Sequence, residues 1–395
     1  MRRIGLALLV CASLPAAGGD PVSEARRALA GGRYTEAIRL LEAARAGSSS
    51  CEIPFLLGLA HYRQRDMDAA LIELQSASEC DPRNAEARTA LAEACAQKGD
   101  DNRALAAFEA ALQIDPKQKA ALRGAATLYL RHDMNTQAVA TLERLIALEP
   151  GNTQTRADLG AAYAGANDLE KAKGAFEQAL QSDAHNVAAL VGLGHVELKS
   201  GRADEAVRLL STAIGLDPKS FEARFLRGTA FNSSGRFAEA VEEFQSAIRL
   251  GGRDPQIYYH LARAYRGLGR QAESEQALDR FSQLRSQADR ETEAQREAAR
   301  LLQQAKGLVD QGRLAEAIAA LEKSRQLRGD TPDVLFRLGG LYYDTRQYER
   351  ARQKARAAIR MAPTEWTYHY LLGLIEKDSG AWQAAEESLK TAARL

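Results

Sequence analysis

Tyr259, Arg263 and Arg266 are spaced i, i+4 and i+7 in the segment YYHLARAYR. On a helix, this spacing puts one ring and two guanidinium groups on a single face. Exposed aromatics beside arginines are the usual chemistry of a protein-binding hot spot. Catalytic chemistry finds no such footing. The chain has no nucleophile elbow, no phosphate-cradling loop and no dinucleotide fingerprint, and Gly192 and Gly194 are too few to make one. The six histidines are scattered one to a site, without the H-E-x-x-H or paired-cysteine spacing that holds a metal. The expectation is a non-enzymatic chain with no catalytic residue, no metal and no cofactor.

The elements that must position these residues recur along the chain. GRYTEAIRLLEAA begins at Gly32, GRADEAVRLLSTAI at Gly201, GRFAEAVEEFQSAI at Gly235 and GRLAEAIAALEKS at Gly312. Aligned on the alanine of the E-A pair, Ala37, Ala70, Ala104, Ala138, Ala172, Ala206, Ala240, Ser274, Ala317, Ala351 and Ala385 form a column. From Ala70 to Ser274 every step is 34 residues; the step from Ser274 to Ala317 is 43. Twelve residues upstream runs a column made only of Gly and Ala, from Ala25 and Gly58 to Gly339 and Gly373. Two small-residue columns at this spacing fit two helices that approach closely. Between them Gly99, Gly201, Gly235, Gly269, Gly312 and Gly380 mark a turn, with Asn167 in the equivalent place. A large apolar residue four after the alanine, such as Leu74, Phe108 or Phe244, extends the second helix's apolar stripe.

The 34-residue period and this residue pattern resemble the tetratricopeptide repeat. Eleven units are expected over 18–50, 51–84, 85–118, 119–152, 153–186, 187–220, 221–254, 255–288, 298–331, 332–365 and 366–395. The resemblance implies an all-α, right-handed superhelical solenoid of helix-turn-helix repeats. It departs from the family at Cys95, Glu197 and Glu376, which stand where Tyr129, Tyr163, Tyr265 and Tyr342 keep the usual aromatic. Ser274 also interrupts the alanine column, and Phe281 replaces a small residue.

The run RSQADRETEAQRE at 285–297 is charged and free of Gly and Pro. It divides the chain into an eight-repeat array (19–288), a charged helical spacer (289–297) and a three-repeat array (298–395). A continued helix and a flexible joint both fit its composition, and a change of orientation between the blocks is one expectation at this point.

The first residues read MRRIGLALLVCASLPAAGGD. Arg2 and Arg3, the apolar Ile4–Leu14 stretch and the small Ala16, Ala17 and Gly18 make a signal peptide over about residues 1–18. The apolar stretch is short of the roughly 20 residues that span a bilayer. An N-terminal anchor, an ordinary first helix and a lipid-modified Cys11 are the competing readings; Val10 disfavours the last. The expected location is outside the cytoplasm, periplasmic or secreted if the source is bacterial. A net charge of +1 gives no steering toward nucleic acid or an anionic membrane.

After cleavage Cys51, Cys80 and Cys95 remain. Cys51 opens the first helix of its repeat and Cys80 ends the second, so antiparallel packing brings them together. A disulfide there suits an oxidising compartment; a simply buried Cys80 is the alternative. Cys95 falls in a core column and reads as a buried free thiol.

In the family, positions 2, 5, 6, 9, 12 and 13 of each unit face a concave groove. Carried onto this chain they give Phe55, Tyr62, Phe225, Tyr259, Arg263, Arg266, Phe336, Tyr343 and Tyr370 as candidate partner-binding residues, with burial by neighbouring helices the alternative for each. A peptide-carboxylate clamp is not expected, because position 9 runs Leu59, Glu93, Thr127, Ala161, His195. The functional expectation is a scaffold or adaptor for protein or peptide partners. The alternative is a carbohydrate-binding accessory in envelope polysaccharide assembly or export.

Overall fold

The computed structural model describes residues 20–363 and 365–395. The expected signal peptide and Cys11 lie outside the described residues. Two compact units partition the chain, one ending at Ala125 and the other running from Ala126 to Leu395.

All the described regular structure is helical. Helices α1 (Pro21–Ala30) and α2 (Tyr34–Arg45) make the first pair, α3 (Glu52–Gln64) and α4 (Met67–Cys80) the second, and α5 (Ala85–Gln97) and α6 (Asp101–Ile114) the third. After α7 (Lys119–Arg131) and α8 (Asn135–Leu148) the pairs continue as α9 (Thr153–Gly165) with α10 (Leu169–Ser182), α11 (Val187–Lys199) with α12 (Ala203–Leu216), and α13 (Phe221–Ser233) with α14 (Phe237–Arg249). Then α15 (Pro255–Gly267) pairs with the start of α16 (Gln271–Asp310), and the end of α16 pairs with α17 (Leu314–Arg328). Two further pairs close the series: α18 (Pro332–Asp344) with α19 (Tyr348–Met361), and α20 (Trp366–Asp378) with α21 (Trp382–Arg394). The charged run therefore lies inside one 40-residue helix.

Local chemistry accounts for the helix boundaries. Asn84, Asn186 and Ser220 each accept a hydrogen bond from the backbone N–H three residues on, capping α5, α11 and α13. The turn inside each pair needs one residue with positive φ. Glycine supplies it at Gly99, Gly201, Gly235, Gly269, Gly312 and Gly380, while Arg65, Asp133, Asn167 and Arg346 adopt it with a side chain.

The two small columns hold the pairs together. A Cβ placed on Gly228 would stand 2.8 Å from the Phe244 ring, and one on Gly194 would stand 2.8 Å from Leu210. The glycine is the hole and the residue sixteen later is the knob. Phe108, Phe176, Phe244, Leu74 and Leu210 are at most 2% exposed, so each of these five fills the seam of its own repeat.

Candidate functional site

The nine candidate partner-binding residues separate by what packs against them. At position 5, Phe225 and Phe336 lie against the first helix of the next unit. Phe225 meets Phe244 of its own repeat at 6.0 Å between ring centroids and His260 of the following one at 5.5 Å. Phe336 meets Tyr368 at 5.1 Å in the same way. Phe55 is half-buried against the cluster built on Leu41, Ile53 and Leu57. These rings bind one repeat to its neighbour. At the same position Tyr259 and Tyr370 are each 46% exposed.

Position 12 ties repeats through polar atoms. Tyr62 Oη accepts from Gln97 Nε2 at 3.5 Å. Tyr343 Oη donates to Asp378 Oδ2 at 2.6 Å, and that bond holds the phenol proton so firmly that its pKa is pushed up to about 12. Asn232 Nδ2 donates to the His260 backbone oxygen at 2.8 Å. Arg266 holds this position in α15 and is exposed, as is Arg263 one turn before it. The sequence trio Tyr259, Arg263 and Arg266 thus stays together on the surface of α15, while Tyr62, Phe225, Phe336 and Tyr343 serve as joints between repeats.

The departures at the usual aromatic position are also structural. Tyr163 Oη donates to Glu143 at 2.7 Å, and Tyr342 Oη donates to Glu322 at 3.2 Å, each reaching the residue twenty before it. At Glu376 the roles are exchanged: its carboxylate accepts from Arg356, again twenty before, at 3.1 Å. Buried Glu197 is met by Lys173 at 3.0 Å and by Arg202. Burial alone would raise the Glu197 pKa, but the hydrogen bonds from Arg202 and Lys173 outweigh it and hold the carboxyl below its ordinary range.

A groove opens where α9, α11 and α13 stand side by side. Its volume is about 620 Å³, and its floor is small: Ala157, Ala161, Ala164, Ala188 and Gly192. Gly192 is required there, because a Cβ would lie 2.2 Å from the Phe176 ring beneath. Polar groups stand around this floor. Asp158 accepts from Gln154 Nε2 at 2.8 Å, yet burial raises its pKa above the ordinary value. His195 is pushed down, first by burial and then by the Lys199 charge. Glu222 and Ser220 also line it, with Val187 and Val191. His195, the position-9 residue of its repeat, lines this groove. Asp158, a position-6 residue, lines it as well; its signal in the sequence is its register alone, without an aromatic to mark it.

Cys51 and Cys80 are joined by a disulfide with Cα atoms 5.4 Å apart. Cys95 is free and buried, and burial raises its thiol pKa, which keeps it unreactive. Among the described residues no helix is long and apolar enough to cross a membrane, and no cluster of His, Cys, Asp or Glu is placed to hold a metal ion.

Tetratricopeptide repeat family profiles match residues 22–82, 55–119, 96–157, 157–221, 191–255, 225–289, 302–365 and 341–395. The chain belongs to the tetratricopeptide repeat family. The matches leave out residues 290–301, the middle of α16. Among solved structures, a tetratricopeptide repeat protein from Parabacteroides merdae is 16% identical, covering 62% of this chain and 97% of its own, with a TM-score of 0.47. The human IFIT1 dimer with m7Gppp-AAAA is also 16% identical, covering 95% of this chain and 89% of its own, with a TM-score of 0.44. MamA MSR-1 is 22% identical over 43% of this chain and 98% of its own, with a TM-score of 0.37. A comparison with curated proteins finds no match.

Proposed function

We propose that the protein is a non-enzymatic scaffold that acts outside the cytoplasm and binds protein or peptide partners along its first helices, with the α9–α11–α13 groove as the principal seat. The groove itself carries the reading. Its alanine and glycine floor leaves room for a partner's apolar side chain, and Asp158, Glu222, His195 and Lys199 offer both signs of charge for orienting polar neighbours. Export is supported by the charged and apolar N-terminal pattern and by the Cys51–Cys80 bridge, which suits an oxidising compartment.

A photo-crosslinking amino acid at position 188, on the groove floor, tests this in cells. It should yield a discrete polypeptide adduct that is absent with the same probe at the exposed position 212. Ala161→Trp fills the groove from an exposed floor position and should abolish the adduct without lowering the melting temperature. No adduct at 188, or an adduct indifferent to Ala161→Trp, would sink the proposal.

A further inference from the structure

In a regular series, the second helix of each repeat is covered by the first helix of the next. The residue four after the alanine column records this cover. Leu74, Phe108, Leu142, Phe176, Leu210 and Phe244 are all 0–2% exposed. In the eighth repeat the same position is Leu278, which is only half-buried. Three residues further on, Ala179, Ala213 and Ala247 are fully buried, whereas Phe281 is half-buried and leans on Tyr259 at 5.7 Å between ring centroids.

The cause is α16. The chain does not turn after the eighth repeat but continues as helix, so the next first helix sits at the far end of the same rod. Residues 281 and 301 are separated by about 30 Å along that rod, and a helix cannot fold back to cover its own face. Tyr259 is exposed for the same reason that Phe225 is not.

We propose that this uncovered face, formed by Tyr259 and Arg263 of α15 and by Leu278, Phe281 and Arg285 of α16, is a docking site for an amphipathic helix of a partner protein. Its occupant carries a stripe of small and aliphatic residues flanked by carboxylates. The chain supplies the template for the stripe: α15 packs on α14, and its residues Ile257, Leu261 and Ala264, spaced i, i+4 and i+7, are buried. The flanking charge follows from the rim. α15 holds Arg263 and Arg266 and not one Asp or Glu, so the carboxylates of the occupant belong on its α15 side; on the α16 side Arg285 and Arg290 stand beside Asp289 and Glu293, and the charge is mixed. A second copy of this chain is a poorer occupant. At the positions of Ile257, Leu261 and Ala264, the ninth repeat has Arg300, Gln304 and Gly307, so it would bring a polar stripe to the apolar face and no carboxylate to Arg263 and Arg266.

The test uses the full chain and a synthetic helical peptide that repeats the Ile257, Leu261 and Ala264 spacing with glutamate flanks. Fluorescence anisotropy should show saturable binding at one site. A lysine-flanked peptide and a proline-broken peptide should not bind. Phe281→Asp and the surface variant Arg263→Glu, both checked by melting, should each weaken binding roughly tenfold or more, as loss of a hot-spot residue does. Ala161→Trp should leave it unchanged, which separates this face from the groove. The proposal is overturned if the acidic helix does not bind, if Arg263→Glu leaves its affinity intact, or if light scattering finds a dimer that Phe281→Asp dissolves.

Discussion

Single residues show how a repeat protein substitutes one interaction for another at a fixed place. Glu197 occupies a position where its relatives along the chain carry a tyrosine, and its charge is answered by Lys173 and Arg202. Both partners reach water, so removing the carboxylate does not strand them. Glu197→Gln is expected to cost about 1–3 kcal/mol at neutral pH, the range for a buried hydrogen-bonded group losing its partners; denaturant melts of wild type and variant measure it. The folded carboxyl lies below its ordinary value of 4.5. Its stabilising contribution is therefore present above pH 4.5 and lost as pH falls through the lower, folded pKa. The difference between wild type and variant should shrink below pH 4.5. The exchange at Glu197 is visible in the sequence only as a missing aromatic, because the cations that satisfy it come from another helix and from beyond the turn. Position-5 rings teach the same lesson in reverse. Residue type and register mark Phe225 and Tyr259 alike as groove aromatics. Which one is exposed depends on whether a first helix comes next.

At the scale of elements, the turn inside each pair is read easily from its glycines and poorly where glycine is absent. Arg346 takes a φ of 59° at the turn, where Gly312 and Gly380 take 73° and 84° in their own repeats. A left-handed conformation costs a side-chain-bearing residue about 1–2 kcal/mol, and glycine's greater freedom in the unfolded chain returns part of that. Arg346→Gly should stabilise the protein by roughly 0.5–1 kcal/mol, seen as a higher denaturation midpoint with an unchanged slope. Destabilisation would mean that the arginine side chain has a role its geometry does not reveal. The 40-residue α16 is legible in part: the charged run lacks Gly and Pro, so nothing in it stops a helix, and balanced charge alone does not distinguish a rod from a joint.

Over the whole molecule, the period of the small-residue columns made the architecture readable, because each repeat contacts chiefly its neighbours and local pattern is then nearly all the information there is. The division into units at Ala125 and Ala126 has no such mark, since the 34-residue step passes through it unchanged. The Cys51–Cys80 bridge bears on where the molecule resides. If thiols are blocked at the moment of lysis, these two cysteines should resist alkylation until a reductant is added, while Cys95 is modified only on unfolding. Free Cys51 and Cys80 in cell-derived protein would place the chain in a reducing compartment and argue against export.

The uninterrupted course of α16 also makes the length of the charged run a phase setting. Each residue added to or removed from a straight α-helix rotates everything beyond it by about 100° and shifts it by about 1.5 Å. Substitutions among Gln287, Asp289, Glu291 and Glu293 change little but local charge. A single deletion there would point the last three repeats in a new direction while leaving every one of their internal contacts intact. In this stretch the number of residues carries more information than their identity.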